Sequence, residues 1–378
     1  MSCAAVVGTG FIAPVHVEAL RRLGIGVAGI LGSDQAKSGR ARAALGLPRA
    51  YRDLDELLAD GTVSVVHLAV PNILHYELCC RALGAGKHVL CEKPLAMDVR
   101  QSADLVARAA ASGLHAGVCY NVRYYPLNLH ARHLLRSGEL GRILSVHGSY
   151  TQDWLLKSSD YNWRVLADQG GELRAVADIG THWLDLVSAL TGLEIESVVA
   201  DLHTVHPRRS RPPGKVASFA PGTAQTAVDT VAITTEDCGN VLMRLSGGVP
   251  GSLFVSQVAA GRKNCLRYEI AAEHGNLAWN SETPEELWIG RRDGPSQHLL
   301  RDPALLAPIA AVHANHPGGH VEGFPDTFKQ CFRAFYDAVA GRAVAGGPGY
   351  PTFADGHREI ALCDAILASH RTRRWAAV

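Results

Sequence analysis

The first third of the chain alternates short apolar runs with amphipathic stretches, and that alternation constrains its fold more than any other feature. Residues 4–7, 27–31, 63–70, 88–91 and 115–119 are apolar runs of strand length. Between them, residues 11–23, 35–45, 54–58, 74–83 and 98–111 carry apolar side chains at helical spacing, as with Val15, Ala19, Leu20 and Leu23. Gly113 ends the last of these helices. Strands that alternate with helices imply βαβ units and a parallel sheet covered on both faces.

The pattern changes after about Asn121. Residues 126–137 and 178–190 read as helices and 143–151 as a strand. From residue 198 onward, β-rich runs follow one another without helices, over 198–206, 227–235, 241–245, 252–259 and 266–272. Turn residues such as Asp237-Cys238-Gly239-Asn240 and Gly247-Gly248 separate them. That is an antiparallel meander, which needs only one covered face. Residues 208–222, rich in Pro, Arg and Ser, read as a loop, and 327–340 and 353–369 as closing helices. The 378 residues exceed one ordinary domain of ~100–200. The expected architecture is α/β: a doubly wound parallel sheet of Rossmann type over residues 1–121, then an α+β domain over 122–378 with a large open, mostly antiparallel sheet.

Charge excludes some partners. Lys and Arg total 37 against 36 Asp and Glu, so no long-range field draws the chain to nucleic acid or an anionic membrane. No apolar stretch reaches the ~18 residues of a membrane span, and no basic region precedes an apolar run at the N-terminus. The nine cysteines are odd in number and form no Cys-x-x-Cys, so they read as small buried hydrophobes of a reducing compartment. The expectation is a cytoplasmic enzyme with no nucleic-acid or membrane partner. No metal is expected either, because Pro317 breaks any helical spacing among His313, His316 and His320.

Gly8-Thr9-Gly10-Phe11-Ile12-Ala13 fits G-x-G-x-x-A between the first strand and the first helix. Gly8 permits the tight turn, Gly10 lets backbone approach a pyrophosphate, and Ala13 lets the helix pack close to the sheet. The N–H groups at the helix start then bind the phosphates. An acid at the end of the second strand would hold the ribose hydroxyls of NAD. Here Leu31 is followed by Gly32-Ser33-Asp34. Ser33, with Lys37 or Arg40, suits the 2′-phosphate of NADP, whereas Asp34 suits NAD, and the reading leans slightly to NADP.

Glu92-Lys93-Pro94 follows a strand of the parallel series, where open α/β sheets place their ligands. Lys93 in that position stabilises negative charge on a reacting oxygen. Asp178 and His182 are spaced i, i+4, and Asp185 follows at i+3, placed to orient the imidazole. A histidine titrating near neutrality suits transfer of a hydroxyl proton. Each of these also fits a plain structural role: a surface lysine, a helix-capping aspartate, a packed histidine.

Taken together, Gly8 to Ala13, Pro71-Asn72, the run from Ala85 to Ala96 with Glu92-Lys93-Pro94, Asn121 with Arg123-Tyr124, and Asp178-x-Gly180 with His182 and Asp185 resemble the Gfo/Idh/MocA family. These are the oxidoreductases of the glucose–fructose oxidoreductase and inositol dehydrogenase group. The resemblance implies transfer of a hydride between nicotinamide and a ring carbon of a sugar, sugar derivative or cyclic polyol. It implies Lys93 as catalytic lysine, His182 as proton carrier and Asp178 as its partner, meeting beside the nicotinamide. Phe11, Ile12, Pro71, Asn72, His75, Glu92, Lys93 and Asn121 would join the glycines in holding the cofactor, and Arg123 and Tyr124 would face substrate. The second domain's sheet would form a homodimer or homotetramer.

Trp154, Trp163 and Arg164 add aromatic and donor groups suited to a sugar ring, and His320 joins them as a substrate candidate. Two other functions fit the same motifs. One is a redox-assisted glycosidase that retains its NAD. The other is a non-catalytic dinucleotide-binding regulator, against which Lys93, Asp178 and His182 argue.

Overall fold

The computed structural model describes residues 3–212, 229–343 and 349–378. The chain forms two compact units, Met1–Asn121 with Phe324–Ile360 and Val122–Gly323 with Ala361–Val378.

The first unit is built on β1 (Cys3–Val7), β2 (Gly26–Leu31), β3 (Arg49–Ala50), β4 (Val65–Leu68), β5 (His88–Cys91) and β6 (Ala116–Val118). All pair in parallel, in the order β3-β2-β1-β4-β5-β6. This is the doubly wound order, and its progress reverses between β1 and β4. Ala4, Ala5, Val6, Val65, Val66, Val89 and Leu90 are fully buried, as strands covered on both faces must be.

The crossovers are α1 (Ile12–Arg22), α2 (Gln35–Leu45), α3 (Leu54–Ala59), α4 (His75–Gly84) and α5 (Val99–Ser112). Three of them start on an aspartate. The carboxylates of Asp34, Asp53 and Asp98 accept from the backbone N–H of Lys37, Glu56 and Gln101. No side chain caps α1 in this way.

Helix Phe324–Val339 belongs to this first unit, which corrects the division into 1–121 and 122–378. Its stripe of Phe328, Cys331, Phe332, Phe335 and Tyr336 is buried. Phe328 and Phe332 pack on His16 of α1, with ring centroids 5.8 and 4.9 Å apart. Helical spacing reveals such a stripe but not which core it covers.

The second unit carries β7 (Ile143–Thr151), β8 (Ile195–His203), β9 (Arg208–Arg211), β10 (Asp229–Ala232), β11 (Cys238–Leu245), β12 (Val249–Ser256), β13 (Cys265–Ala272), β14 (Gly275–Asn280), β15 (Glu286–Gly290), β16 (Gln297–Leu300) and β17 (Ala376–Ala377). Nine of them form one sheet, ordered β16-β15-β14-β13-β7-β12-β11-β8-β17. Every pairing is antiparallel except β7 with β12. Helices Pro126–Arg136 and Thr181–Thr191 cover one face. Trp183 seats the second helix by donating from Nε1 to the Arg267 carbonyl at 2.8 Å. Gly148 on β7 admits it, since a Cβ there would lie 2.4 Å from that nitrogen.

Two expectations fail here for physical reasons. Strands β14 to β16 were not anticipated, because their glycines and polar residues blur the alternation. Arg208–Arg211, read as loop, is a strand paired with β10. Long-range pairing and the burial of Arg209 override the poor strand propensity of that polar run. The rest of that expected loop, 213–222, lies outside the described residues, as do 227 and 228 of the expected strand 227–235. No helix among the described residues is long and apolar enough to cross a membrane.

Candidate active site

The turn after β1 lies at the reversal point of the first sheet. Gly8 has φ +116°, and a Cβ there would fall 2.0 Å from the Ala69 carbonyl oxygen that follows β4. Only glycine tolerates both the angle and the approach. Gly10 is different, because a Cβ there meets nothing within 4 Å. It fronts open space at the start of a helix with no side-chain cap and no acid in its first turn. Ala13 is fully buried against the sheet. Backbone N–H groups aimed at open space from an uncapped helix end suit a pyrophosphate, so these residues fit a bound dinucleotide. Phe11, at the helix start, is exposed.

Beyond β2, Asp34 caps α2 and accepts from Lys37 Nζ at 2.9 Å. Lys37 Nζ also lies 2.5 Å from Ser33 Oγ. Hydrogen bonds from Lys37 hold the exposed Asp34 carboxyl down to about 2, so it is ionised throughout the neutral range.

Beyond β4 and β5 lie the other cofactor-side candidates. Pro71 and Asn72 open a short 3₁₀ turn at residues 72–74. His75 faces inward, contrary to its expected cofactor contact. It is fully buried, with Nδ1 2.7 Å from the Pro94 carbonyl and Nε2 3.0 Å from the Val70 carbonyl. Burial pushes its imidazole below the usual range, so it carries one N–H and donates to one of the two carbonyls. Glu92 is buried and accepts from His16, while Lys93 is half-buried at the loop start. Asn121 donates through Nδ2 to Thr327 Oγ1 at 2.7 Å.

In the second unit, Asp178 sits in a π-turn, Val176–Gly180, that leads into helix Thr181–Thr191. Such wide turns frequently mark functional positions. Asp178 accepts from Gln257 Nε2 at 2.8 Å and pairs with Arg164 Nε at 3.4 Å. The Arg164 guanidinium lies over the Trp163 ring, 4.5 Å from its centroid. His182, in the helix's first turn, has its ring 6.3 Å from that of Tyr150. Tyr150 OH and Gln152 Nε2 both donate to Asn264 Oδ1, and Trp154 Nε1 donates to Gln152 Oε1. Asp178, Arg164 and Trp163 thus form one linked set, and Tyr150, Asn264, Gln152 and Trp154 another, with the Tyr150 ring 6.3 Å from that of His182.

Arg123, Tyr124, Asp185 and His320 behave otherwise. Asp185 takes a bidentate pair from Arg123, with Nε 2.7 Å from Oδ2, rather than a place expected beside the imidazole. That pair commits Arg123 to the protein. Tyr124 is buried against His313. The His320 side chain is exposed, and its carbonyl accepts from the buried Arg301, which also binds the carbonyls of His316 and Pro317.

Sequence reading missed what supports Asp178. Gln257 Oε1 accepts from Arg174, which with Arg209 pairs with the buried Asp237. Burial alone would raise the Asp237 carboxyl, but the Arg174 charge and its hydrogen bonds bring it below the usual range. Glu236 accepts from the backbone N–H of Arg174 and Val176, capping the turn that carries Asp178. Glu236-Asp237 looks like ordinary turn sequence, so nothing local reveals this.

A doubly wound sheet whose glycine turn opens at the reversal point defines a dinucleotide-binding domain. Residues 3–120 match the oxidoreductase family with an NAD-binding Rossmann fold, and residues 128–278 match the GFO/IDH/MocA C-terminal domain. The levoglucosan dehydrogenase of Pseudarthrobacter phenanthrenivorans is 30% identical over 345 residues, covering 88% of this chain and 84% of that one. The structure of a levoglucosan dehydrogenase complexed with NADH and L-sorbose superposes with a TM-score of 0.89 at 26% identity, covering 100% and 99% of the two chains. An inositol dehydrogenase homologue from Azotobacter vinelandii, complexed with NAD+, gives 0.86 at 25% identity, covering 100% and 97%. The chain belongs to the Gfo/Idh/MocA oxidoreductases, a family of NAD-binding sugar and polyol dehydrogenases.

The two glycines make separable predictions. Gly8→Ala lowers the melting temperature, because its Cβ meets backbone. Gly10→Val leaves the melting temperature near that of the wild type but weakens NADH binding at least about tenfold, or ~1.4 kcal/mol. Thermal melts and NADH fluorescence titration check both, and unchanged NADH affinity in Gly10→Val excludes this turn as the cradle.

Proposed function

We propose that this protein oxidises or reduces a ring carbon of a sugar, sugar derivative or cyclic polyol, with Lys93, Asp178 and His182 as its catalytic set. The observation that carries this reading is the segment from Asp178 to His182: Asp178 pairs with Arg164 over the Trp163 ring, and the His182 ring lies 6.3 Å from that of Tyr150, whose hydroxyl shares Asn264 with Gln152, the partner of Trp154. Apolar ring faces next to fixed donors suit a sugar, whose carbon face stacks while its hydroxyls bond. The bound dinucleotide supplies the redox equivalent at its nicotinamide. His182 takes the hydroxyl proton as the carbon is oxidised. Lys93 stabilises the charge developing on that oxygen. Asp178, held by Gln257 and Arg164, orients His182. Reduction reverses these steps.

Lys93→Met lowers kcat by about 10²–10³ while leaving NADH binding intact. Absorbance at 340 nm against a panel of sugars, inositols and keto-sugars measures this, and turnover equal to wild type removes Lys93 from the mechanism. Release of free sugar from glycosides without net NADH points instead to the redox-assisted glycosidase.

The cofactor reading shifts from the sequence lean to NADP toward NAD. Lys37 is neutralised by Asp34, and the ionised Asp34 opposes a 2′-phosphate while accepting ribose hydroxyls. The family neighbours complexed with NADH and NAD+ accord with this. Asp34→Ser keeps a capping oxygen but removes the charge, and raises kcat/KM for NADP relative to NAD by about tenfold or more. A higher kcat/KM with NADP than with NAD in the wild type overturns the reading.

The nine-stranded sheet has an outer face on which Leu242 and Phe254 are exposed among His147, Ser149, Arg267 and Glu269. We assign it as the surface of a homodimer or homotetramer, since exposed apolar groups on a broad sheet mark association. Light scattering of the double variant Leu242→Lys, Phe254→Lys reads a smaller assembly than wild type. The same mass in both excludes this face.

A further inference from the structure

Four buried groups of the first unit form a hydrogen-bonded row that the chemistry above does not use. Glu92 Oε1 lies 3.0 Å from His16 Nε2, and His16 Nδ1 lies 3.1 Å from His67 Nδ1. His67 Nε2 lies 2.9 Å from the Tyr336 hydroxyl. Both imidazoles are fully buried among Phe328 and Phe332. An apolar filling would be cheaper to bury than this row.

Its two ends lie toward opposite ends of the central strands. Glu92 follows the carboxyl end of β5, next to Lys93, whose backbone N–H donates to Glu92 Oε2 at 3.3 Å. Tyr336 lines a surface depression of about 770 Å³ with Ser64 and His88, which lie at the amino ends of β4 and β5, and with Arg333 and Asp337. His67, on β4, lies between.

A metal is the competing use, because ligand atoms of His16, Glu92 and Cys119 lie within 4.8 Å of one another. The His16–Glu92 contact is already a direct hydrogen bond. Burial and the Glu92 charge push the Cys119 thiol well up.

We propose that Tyr336, His67, His16 and Glu92 form a proton relay between solvent and the Lys93 end of the first unit. The proposal rests on the reading of Lys93 as catalytic. Burial, then the neighbouring His16, pushes His67 far below its usual range, so it carries a single N–H. With Glu92 ionised, His16 Nε2–H donates to the carboxylate, His67 Nδ1–H donates to His16 Nδ1, and Tyr336 O–H donates to His67 Nε2. Every donor points inward.

In the reductive direction each group hands its proton to the next. Tyr336 takes a replacement from solvent, and Glu92 ends protonated, ready to resupply the site. One proton crosses, and no electron moves. Oxidation runs the row outward and discharges the hydroxyl proton. Return of both imidazoles to their first tautomers completes the cycle.

The relay residues are tested with Tyr336→Phe, which keeps the ring and removes the outer O–H. With whichever panel sugar the wild type turns over, the variant loses roughly tenfold to a hundredfold in kcat, the lower reach of positioned proton transfer. KM and NADH affinity stay at wild-type values. The solvent deuterium isotope effect on kcat rises, and added imidazole restores turnover.

Wild-type kcat and isotope effect in both Tyr336→Phe and His67→Gln overturn the relay. A wild type that turns over no sugar refutes the catalytic reading instead. Nitrogen-15 histidine spectra of the NADH-bound wild type then decide the row by themselves. Protons on His16 Nε2 and His67 Nδ1, or in the loaded row on His16 Nδ1 and His67 Nε2, support it, and a mixed or doubly protonated pattern overturns it.

Discussion

The contact between the turns that follow β1 and β4, closed to hydrogen-only distance at Gly8, is the constraint on which the first unit's chemistry depends. It brings the end of β1 against the Ala69 carbonyl and leaves α1 to start beside open space at Gly10. A side chain at residue 8 would drive the two turns apart, and with them the loops beyond β4 and β5. His75 is packed between the Val70 and Pro94 carbonyls and donates to one of them. The cradle is thus a consequence of backbone proximity, and the polar side chains around it are held in place by that proximity.

Much of this was legible in the sequence because it is local. Strand, glycine turn and helix occupy residues 3–22, and every signal in that stretch acts within a few positions. The aspartate caps at residues 34, 53 and 98 are equally local. The helix ending at Val339 was visible as an amphipathic stripe, but its partner lies some three hundred residues away on α1. Likewise the i, i+3 spacing of His182 and Asp185 suggested a contact, and a bidentate arginine 62 positions upstream took the carboxylate. A guanidinium fork binds a carboxylate more strongly than a neutral imidazole does, and spacing alone does not weigh such competitors.

What stayed hidden in the sequence is the support behind the proposed catalytic residue Asp178. Asp178 is held by Gln257, Gln257 by Arg174, and Arg174 by an aspartate that also pairs with Arg209. Each member is separated from the next by tens of residues, and none belongs to a motif. Removing the Asp237 carboxylate would leave two buried guanidiniums uncompensated, which typically costs about 3–5 kcal/mol. An arrangement that expensive to break keeps Asp178 in one orientation.

The first unit uses the same device with different chemistry. Its buried row ends at a carboxylate next to Lys93, and it consists of groups that exchange protons, where the second unit's cluster consists of permanently charged ones. An arginine–aspartate cluster fixes geometry, since arginine does not release its proton. A phenol, two imidazoles and a carboxylate fix geometry and also conduct. The choice of residue types therefore separates the two tasks. The turn that carries Asp178 and His182 is held still, while the loop that carries Lys93 is held by groups able to carry protons to and from solvent.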